Sequence, residues 1–233
     1  MDLRVEPVTV IGQAVRNLRA AIMQGDFRPG EHLPEADLCG RLGISRASLR
    51  EALRCLVTEQ MIEMVPNRGY FVARLDEQKV EDIGEVWTVL TTAAVGKFTR
   101  QATPADLTAM RAAIFGLQRA VESGEVTLQL EMMHDFFRVI YKRGGNRVWS
   151  EMITTLTSRI HALRRMSLRV ADQGSVVAQL YAIFVAVEAK DAATAMDATG
   201  AHIRASCEAA REFCRQGEKE AVLCRVEDAP LAR

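Results

Sequence analysis

Arg46, Arg50 and Arg54 stand four apart in the stretch GISRASLREALRCL (43–56), with Ser45 and Ser48 on either side of the first. Side chains at that spacing share one face of a helix, so three guanidinium groups would form one cationic stripe. Such a stripe suits an anion, because arginine can pair bidentately with guanine O6 and N7 or neutralise a phosphate. Ser45 is placed to accept a first-turn N–H as the N-cap, and the helix N-terminus adds partial positive charge. Arginines also line plainly solvated helix faces, so the choice rests on the elements that hold the stripe.

Ile11, Val15, Leu18 and Ile22 predict a helix over 10–23 that Gly25 ends. Arg28-Pro29-Gly30 reads as a turn, and Pro34 falls in the first turn of a short helix that stops at Gly43. The next helix runs from Ser45 to about Glu59. At about 100° per residue, Leu49, Leu53 and Leu56 form a buried seam, and the arginines lie about 90° away from it. Residues 61–65 and 70–75 are strand-like and flank Pro66-Asn67-Arg68-Gly69, a hairpin turn whose glycine can take positive φ. Helix, tight turn, helix and hairpin make a winged helix-turn-helix, whose second helix enters the major groove N-terminus first. Arg68 would then sit at the wing tip.

From Asp76 onward only long amphipathic segments follow, with no strand signal. Thr103-Pro104-Ala105-Asp106 starts a helix, Gly144-Gly145-Asn146 reads as a stop and a new cap, and Asp191 caps a last helix reaching about Gln216. The expected fold is mainly α: a winged helix-turn-helix at 1–75, an all-helical bundle of about six helices at 76–219, and a polar tail at 220–233.

Bulk composition excludes little. Thirty basic residues balance 30 acidic ones in 233, so any nucleic-acid binding must come from local charge. Cys39, Cys55, Cys207, Cys214 and Cys224 form an odd set without C-x-x-C, which favours a reducing cytosol. MDLRVEPVTV has no signal-peptide core, and the longest apolar region, 176–187, is interrupted by Gln179 and falls short of the about 18 residues a bilayer requires. A cytoplasmic protein without a membrane anchor is expected. No G-x-S-x-G, phosphate-cradling glycine loop or H-E-x-x-H occurs, and Asp106, Glu122 and Glu188 read as caps and solvated faces, so an enzyme is the remote reading.

The stretch RPGEHLPEADLCGRLGISRASLREALRCLVTEQMIEMVPNRGYFVARL resembles the DNA-binding domain of GntR-type bacterial transcription regulators, and the helical remainder is similar to the ligand-binding domain of their FadR-like branch, of FCD type. The resemblance implies that Ser45, Arg46, Ser48 and Arg50 contact double-stranded operator DNA and that Arg68 and Gly69 approach the minor groove. Ala36 departs from it, since relatives often carry an arginine there. It further implies a homodimer on a pseudo-palindromic operator, more a repressor than an activator, with a small-molecule effector in the helical domain. A constitutive binder with a filled helical domain is the alternative.

Many regulators of this branch hold a metal with an aspartate, a histidine four residues later and two histidines from later helices. Aligned on that pattern, the positions are Met133, Phe137 and Leu180, and only His202 remains. Met and Phe do not suit the hard ions such sites prefer, so no metal and no other cofactor is expected. A rearranged set from His134, Asp135, His161 and His202 is hard to build, because neighbours on a helix point about 100° apart. Trp87 stands where a pocket arginine is common. The expected effector site, with Trp87, Met133, Phe137, Arg159, Leu180 and His202, would take an apolar or aromatic molecule, with one anionic group met by Arg159 or Arg164. Arg159 lies at the edge of the seam Trp149, Met152, Ile153, Leu156, Ile160 and Leu163. Packing of the same residues as plain core is the alternative.

Overall fold

Leu49, Ala52, Leu53 and Leu56 have no exposed surface in the computed structural model, so the expected seam is the part of its helix turned inward. The structure describes residues 10–144 and 147–227, with side chains described as far as Gln216 except those at 24, 144, 147 and 150. Two compact units divide the chain, Met1–Arg74 and Leu75–Arg233.

The first unit contains α1 (Val10–Gln24), β1 (His32–Leu33), α2 (Glu35–Leu42), α3 (Arg46–Thr58), β2 (Ile62–Val65) and β3 (Gly69–Val72). Its antiparallel sheet has the order β1-β3-β2, with Leu33 opposite Tyr70 and Ile62 opposite Val72. β1 was not expected. Two residues carry no alternating pattern, and the strand exists through its pairing with β3. Pro34 is the N-cap residue of α2 rather than part of its first turn, and β3 ends at Val72, short of the 70–75 run. Gly43 closes α2 at φ 65°, ψ 33°, where its N–H reaches Cys39 O. That left-handed cap lets α3 start two residues later, because glycine adopts it without a Cβ clash. Arg19 holds both carboxylate oxygens of Glu59, at 2.9 and 2.5 Å, and so ties α1 to the end of α3.

The second unit consists of α4 (Glu77–Gln101), α5 (Pro104–Ser123), α6 (Val126–Gly144), α7 (Arg147–Ser167), α8 (Gln173–Glu188) and α9 (Ala192–Glu227). The chain is mainly helical, a winged helix-turn-helix followed by an all-helical unit. Thr103 and Asp106 form the reciprocal capping box that starts α5, and Arg143 Nε at 2.8 Å from Asp106 Oδ2 secures the end of α6 to it. Asp191 caps α9 through Thr194 N–H at 3.0 Å. Of the expected stop at Gly144-Gly145-Asn146, the last two residues lie outside the described residues. α9 runs on past Gln216 to Glu227. It passes through Gly217, since an interior glycine costs a helix only about 1 kcal/mol.

Two apolar clusters fill this unit. One holds Phe98, Leu130, Met133, Phe136, Phe137, Leu180 and their neighbours, the other Val80, Ile83, Trp87, Ile160, Leu163 and Ile203.

Candidate nucleic-acid interface and effector site

Ser45 is the N-cap of α3. Its Oγ accepts the Ser48 N–H at 3.2 Å and lies 3.0 Å from Ser48 Oγ, which pins the helix entrance. Arg46 is the first helical residue, exposed, and no ion pair is recorded for it among the described residues. Arg50 Nε donates to Glu35 Oε2 of α2 at 2.7 Å, and Arg54 Nη1 stands 2.5 Å from Glu51 Oε1. The stripe therefore has one uncommitted guanidinium at the entrance and two held by carboxylates. At the wing tip Asn67 and Gly69 take φ 62° and 94°, and Arg68 is exposed with its guanidinium 5.5 Å from the centre of the Phe71 ring. The arrangement offers an anionic surface a helix N-terminus with hydroxyls and a cation, plus a cationic hairpin tip.

In the helical unit Trp87, Met133, Phe137, Leu180 and His202 are all buried. Trp87 on α4, Phe137 on α6 and His202 on α9 converge on Arg164 of α7. The Arg164 guanidinium lies 4.9 Å from the Trp87 ring centre and 4.7 Å from that of Phe137, so it joins the two apolar clusters. Its side chain is 2% exposed, and Nε and Nη2 have no hydrogen-bond partner. Burial pushes its pKa down to about 10, and the one opposing influence is the Tyr141 phenol, not a carboxylate. Arg159, also on α7, is half-buried with an unpartnered Nε. It lies about 140° around the helix from Arg164. Of the two arginines considered from the sequence, Arg164 is the one enclosed by the rings.

His202 stacks on Phe137 with ring centres 5.7 Å apart, and its Nδ1 lies 2.9 Å from Gln179 Oε1. Gln179 Nε2 donates to Ser175 Oγ at 3.2 Å, which turns Oε1 toward the imidazole. On that network Nδ1 carries the proton and the buried, unpartnered Nε2 presents a lone pair. Gln179 entered the sequence reading only as a break in an apolar run. Thr91 and Tyr141, whose hydroxyls lie 2.9 Å apart, were missed, although each is four residues beyond a ring of the site, Trp87 and Phe137.

The four-ligand metal pattern does not fit this site. Phe137 and Leu180 offer no donor, Met133 only a soft thioether, His202 is engaged by Gln179, and a guanidinium occupies the centre. His134 Nδ1 and His161 Nε2 do meet at 3.2 Å, but Asp135 pairs with Arg138 and His202 is not among them. Among the described residues no group of three or more His, Cys, Asp or Glu could hold a metal ion.

The buried imidazoles have a consequence for stability. His161 and His202 are each held down to about 3, first by burial and then by the Arg164 charge. A histidine whose folded pKa lies below its unfolded value binds more protons when unfolded, so stability is full above about 6.5 and is lost on acidification. Between pH 6 and 5 unfolding free energy should fall by up to about 1.4 kcal/mol per pH unit for each histidine. His134, in contact with His161, is shifted down by burial as well. Urea titrations across that window would measure the combined slope, and His161→Gln should make it shallower; a flat wild-type profile would contradict the burial.

The matches to known proteins agree with this layout. Residues 11–72 match the model of bacterial regulatory proteins, gntR family, and residues 82–205, over half the chain, match the FCD domain. The HTH-type transcriptional regulator YdhC of Bacillus subtilis is 23% identical over 216 residues, spanning 92% of this chain and 96% of its own. McbR of Escherichia coli is 25% identical over 192 residues, 81% of this chain and 86% of its own. A solved McbR structure superposes with a TM-score of 0.70 over 95% of this chain and all of the other. The transcriptional repressor RspR of Escherichia coli is 21% identical over 215 residues, 91% of this chain and 94% of its own. These relatives are named as regulators of transcription, and no described helix is long and apolar enough to cross a membrane. With its winged helix-turn-helix and six-helix unit each matched, the chain belongs to the gntR family of bacterial regulatory proteins, in the branch that carries an FCD domain, and is a DNA-binding transcription regulator.

Proposed function

We propose that this regulator is a repressor that binds a pseudo-palindromic operator as a homodimer and is released by a small-molecule effector in the helical unit. Ser45, Arg46 and Ser48 read base edges, Arg50 exchanges Glu35 for a phosphate or base edge, and Arg68 and Gly69 approach the minor groove. One small winged head makes too few contacts for useful specificity, and two-fold pairing doubles them. The repressor sign draws on RspR, which is named as one. The effector reading rests on one observation, the buried Arg164 guanidinium without a counter-ion, because an uncompensated buried charge costs several kcal/mol by order of magnitude.

Full burial of Trp87, Phe137 and Leu180 favours a second reading, a constitutive binder with a filled helical unit. Selection of bound duplexes from a random library tests the first part: two inverted half-sites should be enriched, and a single asymmetric site bound by one chain would sink the dimer. Adding small molecules to the selected duplex complex tests the second, since a constitutive binder releases DNA for none of them.

A further inference from the structure

The pairing of β1 with β3 carries a side chain to the wing that local sequence does not place there. His32 lies opposite Phe71, so both side chains stand on one face of the sheet, and Gly69, two residues earlier on β3, belongs to the same face. The exposed imidazole packs on the Phe71 ring with centres 4.9 Å apart. Its outer edge leans toward the hairpin tip: a Cβ added at Gly69 would meet His32 Nε2 at 3.1 Å. The absent side chain at Gly69 therefore leaves this side of the tip open to the imidazole. The Arg68 guanidinium lies 5.5 Å from the centre of the same Phe71 ring, so one half-buried phenyl supports two nitrogen donors. Among the described residues the His32 ring has no hydrogen bond or ion pair. Of the nearby acids, Glu31 accepts the Arg28 N–H at 2.7 Å, and Glu63, opposite Phe71 on β2, stands on the far side of β3.

Spacing across the sheet decides what the imidazole can reach. The order β1-β3-β2 puts β1 beside the two strands that form the tip. Neighbouring strands lie about 4.8 Å apart, while the minor groove of B-DNA is about 6 Å wide. A groove that admits the two-stranded tip has no width left for a third strand. With Arg68 and Gly69 toward the groove, β1 comes over its wall, where the phosphates stand. An imidazole N–H can donate to a phosphate oxygen, and phosphate contacts fix the register of a protein on its duplex.

We infer that His32 is a further DNA-binding residue, whose Nε2–H donates to a backbone phosphate on the wall of the minor groove that the wing tip approaches. The inference goes beyond the operator contacts proposed above and rests on the reading of Arg68 and Gly69 as a wing tip at the DNA. Phe71 holds the ring, Gly69 leaves space for it, and the contact sets register without reading a base.

Fluorescence anisotropy with the full chain and a duplex selected from the random library tests this as a thermodynamic cycle. Duplexes carrying one neutral methylphosphonate in place of each phosphate along the minor-groove segment in turn are compared for the wild type and His32→Ala. On the unmodified duplex His32→Ala should bind about 5- to 10-fold more weakly, the value of one ordinary hydrogen bond. At one phosphate position in each bound site, the methylphosphonate should weaken the wild type by a similar factor and leave His32→Ala unaffected. His32→Phe keeps a ring on Phe71 without a donor and should lose as much as His32→Ala. Base preferences recovered from the library should be the same for both variants as for the wild type. Circular dichroism and thermal melts establish that each variant is folded.

Wild-type affinity in His32→Ala or His32→Phe, an unchanged methylphosphonate profile in His32→Ala, or an altered base preference would overturn the assignment. Arg68→Ala separates it from the reading it rests on. Weakened binding by Arg68→Ala beside undiminished binding by His32→Ala removes His32 alone from the interface. Undiminished binding by both removes the wing.

Discussion

Arg46→Ala should yield a folded protein whose affinity for the selected operator is down by about 30-fold or more. Arg46 is the first residue of α3 and is exposed, so its removal leaves the buried Leu49, Leu53 and Leu56 in place. Substitutions at such exposed positions shift stability by about 0.5 kcal/mol or less. A bidentate arginine contact to a base edge contributes about 1–3 kcal/mol, and a two-fold complex uses it twice, which gives about 2–6 kcal/mol. The lower bound corresponds to about 30-fold in affinity. Arg50→Ala should cost less per site, because Arg50 must first give up Glu35 at 2.7 Å before it can serve DNA. Arg54, held by Glu51 and furthest from the helix entrance, should matter least. Fluorescence anisotropy at one fixed physiological salt concentration ranks the three, and wild-type affinity for the Arg46→Ala protein would remove α3 from the interface.

Arg164→Met should raise the stability of the ligand-free protein while destroying its response to effector. A buried charge without an ionic partner carries a desolvation cost of several kcal/mol by order of magnitude. Two cation–π contacts, each about 0.5–2 kcal/mol, offset part of it. Methionine is unbranched and adaptable enough to fill the space between Trp87 and Phe137 with apolar contacts. Replacements of buried ionic groups by packed hydrophobic ones have stabilised other proteins by about 1–4 kcal/mol, and in a chain of this length each kcal/mol moves the melting temperature by about 2–4 °C. A melting temperature several degrees above wild type, together with loss of ligand-driven operator release, is the expected pair of results. A drop of similar size would mean that the Arg164 N–H groups have partners and that the site is structural.

The parts of this molecule that could be read from one sequence are those built by local chemistry. Ser45 as a cap, Gly43 as a stop, the Leu49–Leu53–Leu56 seam and the Thr103–Asp106 box each depend on residues within a few positions of one another, so spacing alone reveals them. β1 escaped because two residues have no period, and α9 runs on past its expected end at about Gln216 to Glu227. The helical site was legible as a list and not as an arrangement. Trp87, Phe137 and His202 could be named, but the choice between Arg159 and Arg164 depends on how α7 is rotated against α4, α6 and α9. That rotation is settled by packing among side chains far apart in the chain. Gln179 shows the same limit: along the chain it interrupts an apolar helix, and in the folded bundle it fixes the tautomer of a histidine 23 residues away. Local sequence thus determined that the protein has a DNA-reading head and a helical partner unit. Long-range packing alone buried a guanidinium between the rings of Trp87 and Phe137 and left its Nε and Nη2 without partners, because no local rule specifies which polar atoms go unpaired.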